Sequence, residues 1–244
     1  MKRLEIIPVG GFPELTQGMN LASELAKQFL LEEGDVVVVS SKAISKVEGR
    51  VINAETVDPS PFAYTLAQRI GRDPVYCELV LRESTDVVRM GPGVVICRTR
   101  HGFVLANAGV DTSNSGGIDR YVLLPLDPDS SARQLRQELL AQTGVRVAVI
   151  VSDTFGRAWR IGETDLAIGV AGLAPLSDFQ GTQDRNGRTL NWSSAAWADE
   201  LASAAELVRG KASGIPVVIV RGFEPSGEGC AQELIMPPQR DLFR

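Results

Sequence analysis

A chain of 244 residues is long enough to bury a full core, as one large domain or as two small ones. Apolar residues at 44% and charged residues at 23% are those of a folded globular protein and exclude extended disorder as the main state. A formal charge of −5 excludes broad binding to nucleic acid or to an anionic membrane, since both need a cationic face, so any anionic ligand must meet a local cationic patch.

The chain opens Met1-Lys2-Arg3-Leu4-Glu5-Ile6-Ile7, with a charge inside its apolar stretch and no small-residue cleavage site. It reads as a first strand over residues 4–9 and not as a signal peptide. Pro8-Val9-Gly10-Gly11-Phe12-Pro13 follows. Its paired glycines let backbone N–H groups approach a ligand, although a Gly-Gly pair after a strand equally makes a tight turn. Apolar residues at helical spacing predict a helix over 21–33. Asp35 then leads into a buried strand over 36–39, which opens into Ser40-Ser41-Lys42-Ala43-Ile44-Ser45-Lys46-Val47-Glu48-Gly49-Arg50. Lys42, Lys46 and Arg50 recur every four residues, so in a helix they share one face, either lining an anionic groove or simply solvated.

A second helix is expected over 61–72, and strands over 94–97 and 103–105, with Gly91-Pro92-Gly93 as a turn. His101, the only histidine, sits between Arg100 and Gly102 and reads as an exposed turn residue, which leaves Ser-His-Asp hydrolysis without support. Ala106-Asn107-Ala108-Gly109-Val110-Asp111 is the first of two acidic stations at the end of an apolar run. Ser113, Asn114, Ser115, Gly116 and Gly117 add hydroxyl, amide and flexible backbone donors beside it. Asp127-Pro128-Asp129-Ser130-Ser131 is the clearest turn cluster and a candidate lobe boundary. Ser131 with Gln134 has the spacing of a capping box for a helix over 132–143.

A strand over 145–151 leads into the second station, Ser152-Asp153-Thr154-Phe155-Gly156-Arg157. Asp153 is placed to ligate, Thr154 adds an oxygen, and Arg157 and Arg160 face anionic oxygens unless Arg157 pairs with Asp153. Glu163 and Asp165 are expected to balance the two arginines. Residues 166–176, rich in Gly and Ala, make half a membrane span at best, so no membrane anchor is expected. A helix over 193–209, a strand over 216–220 and an irregular tail from Glu224 complete the chain.

Strands and helices in irregular order, with no internal repeat, predict a mixed α/β (α+β) fold with flanking helices, whose sheet need not be all parallel and which is not a Rossmann fold. Cys77, Cys97 and Cys230 are far apart and in no C-x-x-C spacing, which indicates neither a disulfide framework nor a zinc site and fits a reducing cytoplasm. Either acidic station alone is most simply a turn residue or a helix cap. Two of them on neighbouring strands suit a shared hard cation and point to an enzyme that handles phosphates. No G-x-G-x-x-G follows a strand, and Gly210-Lys211-Ala212-Ser213 lacks both the upstream Gly and the Ser or Thr after Lys of a P-loop, so phosphates must be held by another device.

Several long segments, in order, resemble the coenzyme F-420-0:γ-glutamyl ligase family over nearly the whole chain: 34–50, Ala106 to Asp111 with Asn114, Ser152 to Arg157, Asp199-Glu200-Leu201-Ala202 and Ala205-Glu206-Leu207-Val208. The resemblance implies the family's own fold in one ligase unit, with the lobe boundary near 127–131. It also implies a GTP- and divalent-metal-dependent amide ligase that adds L-glutamate to the lactyl carboxylate of a deazaflavin precursor, coenzyme F-420-0, and then a further glutamate through a γ-linkage. Carried over, Asp111 and Asp153 would ligate Mg²⁺ or Mn²⁺ and Thr154 a second ion, while Gly10, Gly11, Phe12, Pro13, Ser41, Lys42, Lys46 and Asn114 would contact nucleotide. Lys46 would act with the two carboxylates in catalysis, in a cytoplasmic homodimer. Lys211 departs from the pattern, standing about where some relatives place a metal-binding Gln. The rival readings are a non-catalytic deazaflavin or nucleotide carrier and a metal-dependent phosphatase.

Overall fold

The computed structural model of the chain describes residues 3–113, 115–191, 193–211 and 213–242. The first half runs β1 (Glu5–Val9), α1 (Leu21–Gln28), β2 (Val36–Ser40), α2 (Ser41–Val47), β3 (Val51–Asn53), α3 (Pro61–Ile70), α4 (Pro74–Arg82), β4 (Ser84–Gly91), β5 (Val94–Thr99) and β6 (Val104–Ala106). The second runs β7 (Arg120–Val122), α5 (Pro128–Thr143), β8 (Ala148–Arg157), β9 (Arg160–Ala171), β10 (Ser177–Asp178), β11 (Ser194–Ala195), α6 (Trp197–Arg209) and β12 (Val217–Arg221).

The main sheet has the order β1-β12-β2-β8-β9. Only β2 and β8 run parallel, so the sheet is mixed, as the irregular order of elements predicts. Val36, Val37, Val38 and Val39 are all fully buried, the mark of a central strand covered on both faces, and α5 and α6 pack against the sheet. Gly169 of β9 is the point of closest approach: a Cβ there would stand 2.2 Å from the carbonyl oxygen of Pro128, so α5 starts against the strand only because this position carries no side chain.

A second hydrophobic cluster, built around Leu66, Ile70, Leu79, Val80 and Val95, lies in the segment between the two parallel strands. It rests on α3, α4, the β4-β5-β6 sheet and the β3-β7 ribbon. The two cores meet at adjacent residues, Leu123 belonging to this cluster and Leu124 to the main one. Among the described residues no helix is long and apolar enough to cross a membrane.

Several boundaries differ from the sequence expectation. Helix α1 stops at Gln28 because Arg221 lies over the Phe29 ring and binds Leu30 O, Glu32 and Asp35, which holds the next residues out of the helix. Helix α5 begins at Pro128, where a fixed φ suits the first turn, and its cap is Asp127 accepting from the Ser130 N–H at 2.9 Å. The Ser131 capping box therefore does not form, and the Ser131 hydroxyl donates to Glu48 instead. Helix α4 and strands β3, β4, β7 and β9 fall where the sequence pattern predicts no element. The largest difference is β8, which runs six residues past Val151, through the second acidic station, because β9 pairs with it along that whole length.

Candidate active site

Strand β2 delivers the first wall. Its last residue, Ser40, caps α2 by accepting from the Ala43 N–H, and α2 then carries Ser41, Lys42 and Lys46. The parallel register pairs Ser40 with Ser152, so the next residues of the two strands, Ser41 and Asp153, fall side by side. The Ser41 hydroxyl donates to Asp153 Oδ1 at 2.5 Å. Burial pushes the Asp153 carboxyl up from the ordinary 3.8 to about 7 against the pull of this bond, and the nearby charges of Asp165 and Asp111 push the same way.

Asp111 forms the facing wall. It follows a tight turn in which Asn107, Ala108 and Gly109 all adopt left-handed backbone, with φ of 54°, 51° and 72°. Two of the three carry a Cβ, so the turn stores strain that its surroundings must hold in place. The Asn107 side chain accepts from the Val95 N–H, and Asp111 bridges to Val122. Lys42 Nζ lies 2.6 Å from Asp111 Oδ2, and the Ser113 N–H donates to Oδ1 at 2.6 Å. Burial alone would raise the Asp111 carboxyl, but Lys42 and Ser113 outweigh it and hold the group below its ordinary value.

The third wall was missed from sequence. Asp165 of β9 is buried and accepts from the Thr154 hydroxyl at 2.7 Å, from Ser152 Oγ at 3.0 Å and from Arg209 at 2.6 Å. Arg209, the last residue of α6, also donates to Ser152 Oγ and to the Val38 carbonyl. Asp165 thus serves Arg209 rather than Arg157 or Arg160, and Glu163 pairs with Lys211. The available signal was period two within 163–167, where Glu163 and Asp165 fall on one face of a strand.

These walls enclose a cavity of about 540 Å³, a common size for a small-molecule site. Phe12, Pro13, Ser41, Lys42, Lys46, Asp111, Asp153 and Thr154 all line it, so two carboxylates from separate parts of the chain share one space. Lys46 is held by Glu14 at 2.6 Å, an exposed partner that an anionic ligand can displace. Glu206 and Lys211 line the cavity as well.

Other expected positions fall elsewhere. Gly10 and Gly11 lie outside the lining. Arg50 leaves the lysine face because α2 ends at Val47; it binds Glu83 and the Leu124 carbonyl. Arg157 and Arg160 are exposed in the β8-β9 hairpin, where Arg157 binds the Ile161 carbonyl. Asn114 lies outside the described residues. His101 is bound to the Pro125 and Leu126 carbonyls, away from the cavity.

Asp111 and Asp153 offer hard carboxylate oxygens with the Ser41 and Ser113 hydroxyls beside them, Lys42 is the cation that now neutralises Asp111, and a carboxylate whose charge is disfavoured by burial is one that a bound cation would hold ionised. Among the described residues no three Asp, Glu, His or Cys side chains stand together as a ready-made cage. An ion bound by the two aspartates would therefore take its remaining oxygens from water and phosphate, as Mg²⁺ commonly does.

A family model described as F420-0:Gamma-glutamyl ligase matches residues 11–222. The chain is 45% identical over 247 residues to the coenzyme F420:L-glutamate ligase of Methanopyrus kandleri, covering 99% of this chain and 98% of that protein. It is 45% identical to the one from Methanocaldococcus jannaschii, covering 91% and 89%. The protein of the same name from Methanothermobacter thermautotrophicus is 41% identical, covering 99% of each.

Proposed function

The chain belongs to the F420-0:gamma-glutamyl ligase family, and from that membership we propose that it is a GTP- and divalent-metal-dependent amide ligase. It adds L-glutamate to the carboxylate of coenzyme F-420-0 and then a further glutamate through a γ-linkage, working as one ligase unit in a cytoplasmic homodimer. The observation that carries the reading is the cavity in which Lys42 and Lys46 face Asp111 and Asp153.

A free carboxylate is a poor electrophile. Transfer of the γ-phosphoryl group of GTP onto it gives GDP and an acyl phosphate, and attack by the glutamate amine then forms the amide, releasing phosphate and the proton of the amine. Triphosphate and carboxylate repel one another, so the cations of α2 do the orienting. Lys46 exchanges Glu14, and Lys42 exchanges Asp111, for phosphate oxygens, and Phe12 and Pro13 wall the nucleotide. Asp111 and Asp153 would hold Mg²⁺ or Mn²⁺, with Thr154 toward a second ion, which supplies charge neutralisation between the two anions.

Incubation with GTP, Mn²⁺, the precursor and glutamate tests the reading. GDP release that requires all of them supports it. GTP binding without GDP release would make the protein a carrier, and phosphate release without glutamate would make it a phosphatase; either result overturns the ligase.

A further inference from the structure

Asp165 and Arg209 form a buried ion pair directly behind the second acidic station, with side chains only 3% and 7% exposed. Such a pair is a poor source of stability, because removing two charges from water costs about as much as their attraction returns. Its bonds are spent in one place. Asp165 Oδ1 accepts from Thr154 and Oδ2 from Ser152, the two neighbours of Asp153 in β8. Arg209 fixes Asp165 from α6, reinforces Ser152, and reaches the Val38 carbonyl of β2, so the clamp ties the two parallel strands and β9 together at the cavity.

The consequence concerns Thr154, which lines the cavity. A hydroxyl has one proton and two lone pairs. When its proton is committed to Asp165, the hydroxyl cannot donate toward the cavity, and its oxygen is left as an acceptor there. We propose that Asp165, locked by Arg209, is a positioning residue that presents the Thr154 oxygen as a ligand for the second divalent cation. The inference rests on the metal dependence proposed above. It adds to it a supporting layer of the kind that commonly tunes metal affinity by roughly 10- to 100-fold.

The test is a double-mutant cycle on Mn²⁺ affinity, read by electron paramagnetic resonance of free Mn²⁺ with a non-hydrolysable GTP analogue present. Thr154→Val and Asp165→Asn should each weaken Mn²⁺ binding at least tenfold. The double variant should bind no more than about twofold more weakly than Thr154→Val, since Asp165 acts through that hydroxyl, and Thr154→Ser should stay close to wild type. Asp165→Asn at wild-type affinity, or two losses that simply multiply, would overturn the proposal.

Should Asp165→Asn fail to fold with Arg209 left unpaired, the triple variant Ser152→Ala, Asp165→Leu, Arg209→Met removes the whole buried polar group at once. It should fold and still lose Mn²⁺ affinity at least tenfold; wild-type affinity there also overturns the proposal. A wild-type protein that binds no Mn²⁺ would sink both the metal dependence and the positioning role. Intact wild-type binding with multiplying losses would sink the positioning role alone.

Discussion

Replacing Asp153 by Asn is expected to make the metal-free protein more stable while destroying its function. The folded-state value of about 7 lies above the ordinary 3.8, so folding favours the protonated acid, and the ionised form costs more as pH rises from about 4 to about 7. At 1.36 kcal/mol per pH unit the full cost is about 4 kcal/mol, present above pH 7, and about 2 kcal/mol of it is already felt near pH 5. Asn carries no charge at any pH, and its oxygen can still accept from Ser41. The variant should therefore melt above wild type, with roughly two to three times the gap at pH 8.5 that it has at pH 5. At 2–4 °C per kcal/mol for a domain of this size, roughly 8–16 °C is the ceiling at pH 8.5, reduced by local relaxation and water. Scanning calorimetry in EDTA at the two pH values reads this directly. Saturating Mn²⁺ with GTP should then stabilise wild type, by about 2.7 kcal/mol at a hundred times Kd, and leave the variant unmoved. A variant that melts at or below wild type at pH 8.5, or gains as much from Mn²⁺, would show that the Asp153 charge neither costs stability nor holds the ion.

Lys46→Ala should weaken GTP binding at least tenfold by calorimetric titration, while its melting temperature changes little, because the lost ion pair has an exposed Glu14 as partner. Gly109→Ala should destabilise the chain by about 1–3 kcal/mol in urea melts and displace Asp111, because φ is 72° there and a Cβ would stand 2.7 Å from Leu124. Glu78 is held below its ordinary 4.5 first by the Ser60 N–H and also by Arg82. Its contribution is complete above about pH 4.5 and declines as pH falls further, so Glu78→Gln should cost about 1–2 kcal/mol at pH 7 and progressively less as the solution is acidified below about pH 4.5.

Much of the candidate cavity's lining was legible because it sits where buried strands give way to polar residues. The valines of β2 announce a central strand, and the Ser-Ser-Lys that follows marks where that strand gives way to α2 at the cavity. Asp111 and Asp153 were identifiable for the same reason, and the structure brings both to one cavity. What sequence could not supply was pairing across distance. Arg209 meets Asp165 from 44 positions away, and no local spacing marks either as a partner. Without that partner, Asp165 was matched to the arginines nearest in sequence, which instead lie in the exposed hairpin. Arg50 was misplaced by extending a four-residue period past the end of α2. The reach of β8 was underestimated because its polar half reads as a loop until β9 is seen to pair with it.

If cations held by Asp111 and Asp153 let GTP drive amide formation, loss of either carboxylate or of the metal must stop it. Mass spectrometry of coenzyme F-420-0 after incubation with the protein, glutamate, GTP and Mn²⁺ tests it most directly. The expected product is heavier by one or more glutamyl residues, formed by wild type and not by Asp111→Asn, Asp153→Asn or the EDTA-treated protein. An unchanged precursor with wild type, or the same product from both aspartate variants, would contradict it.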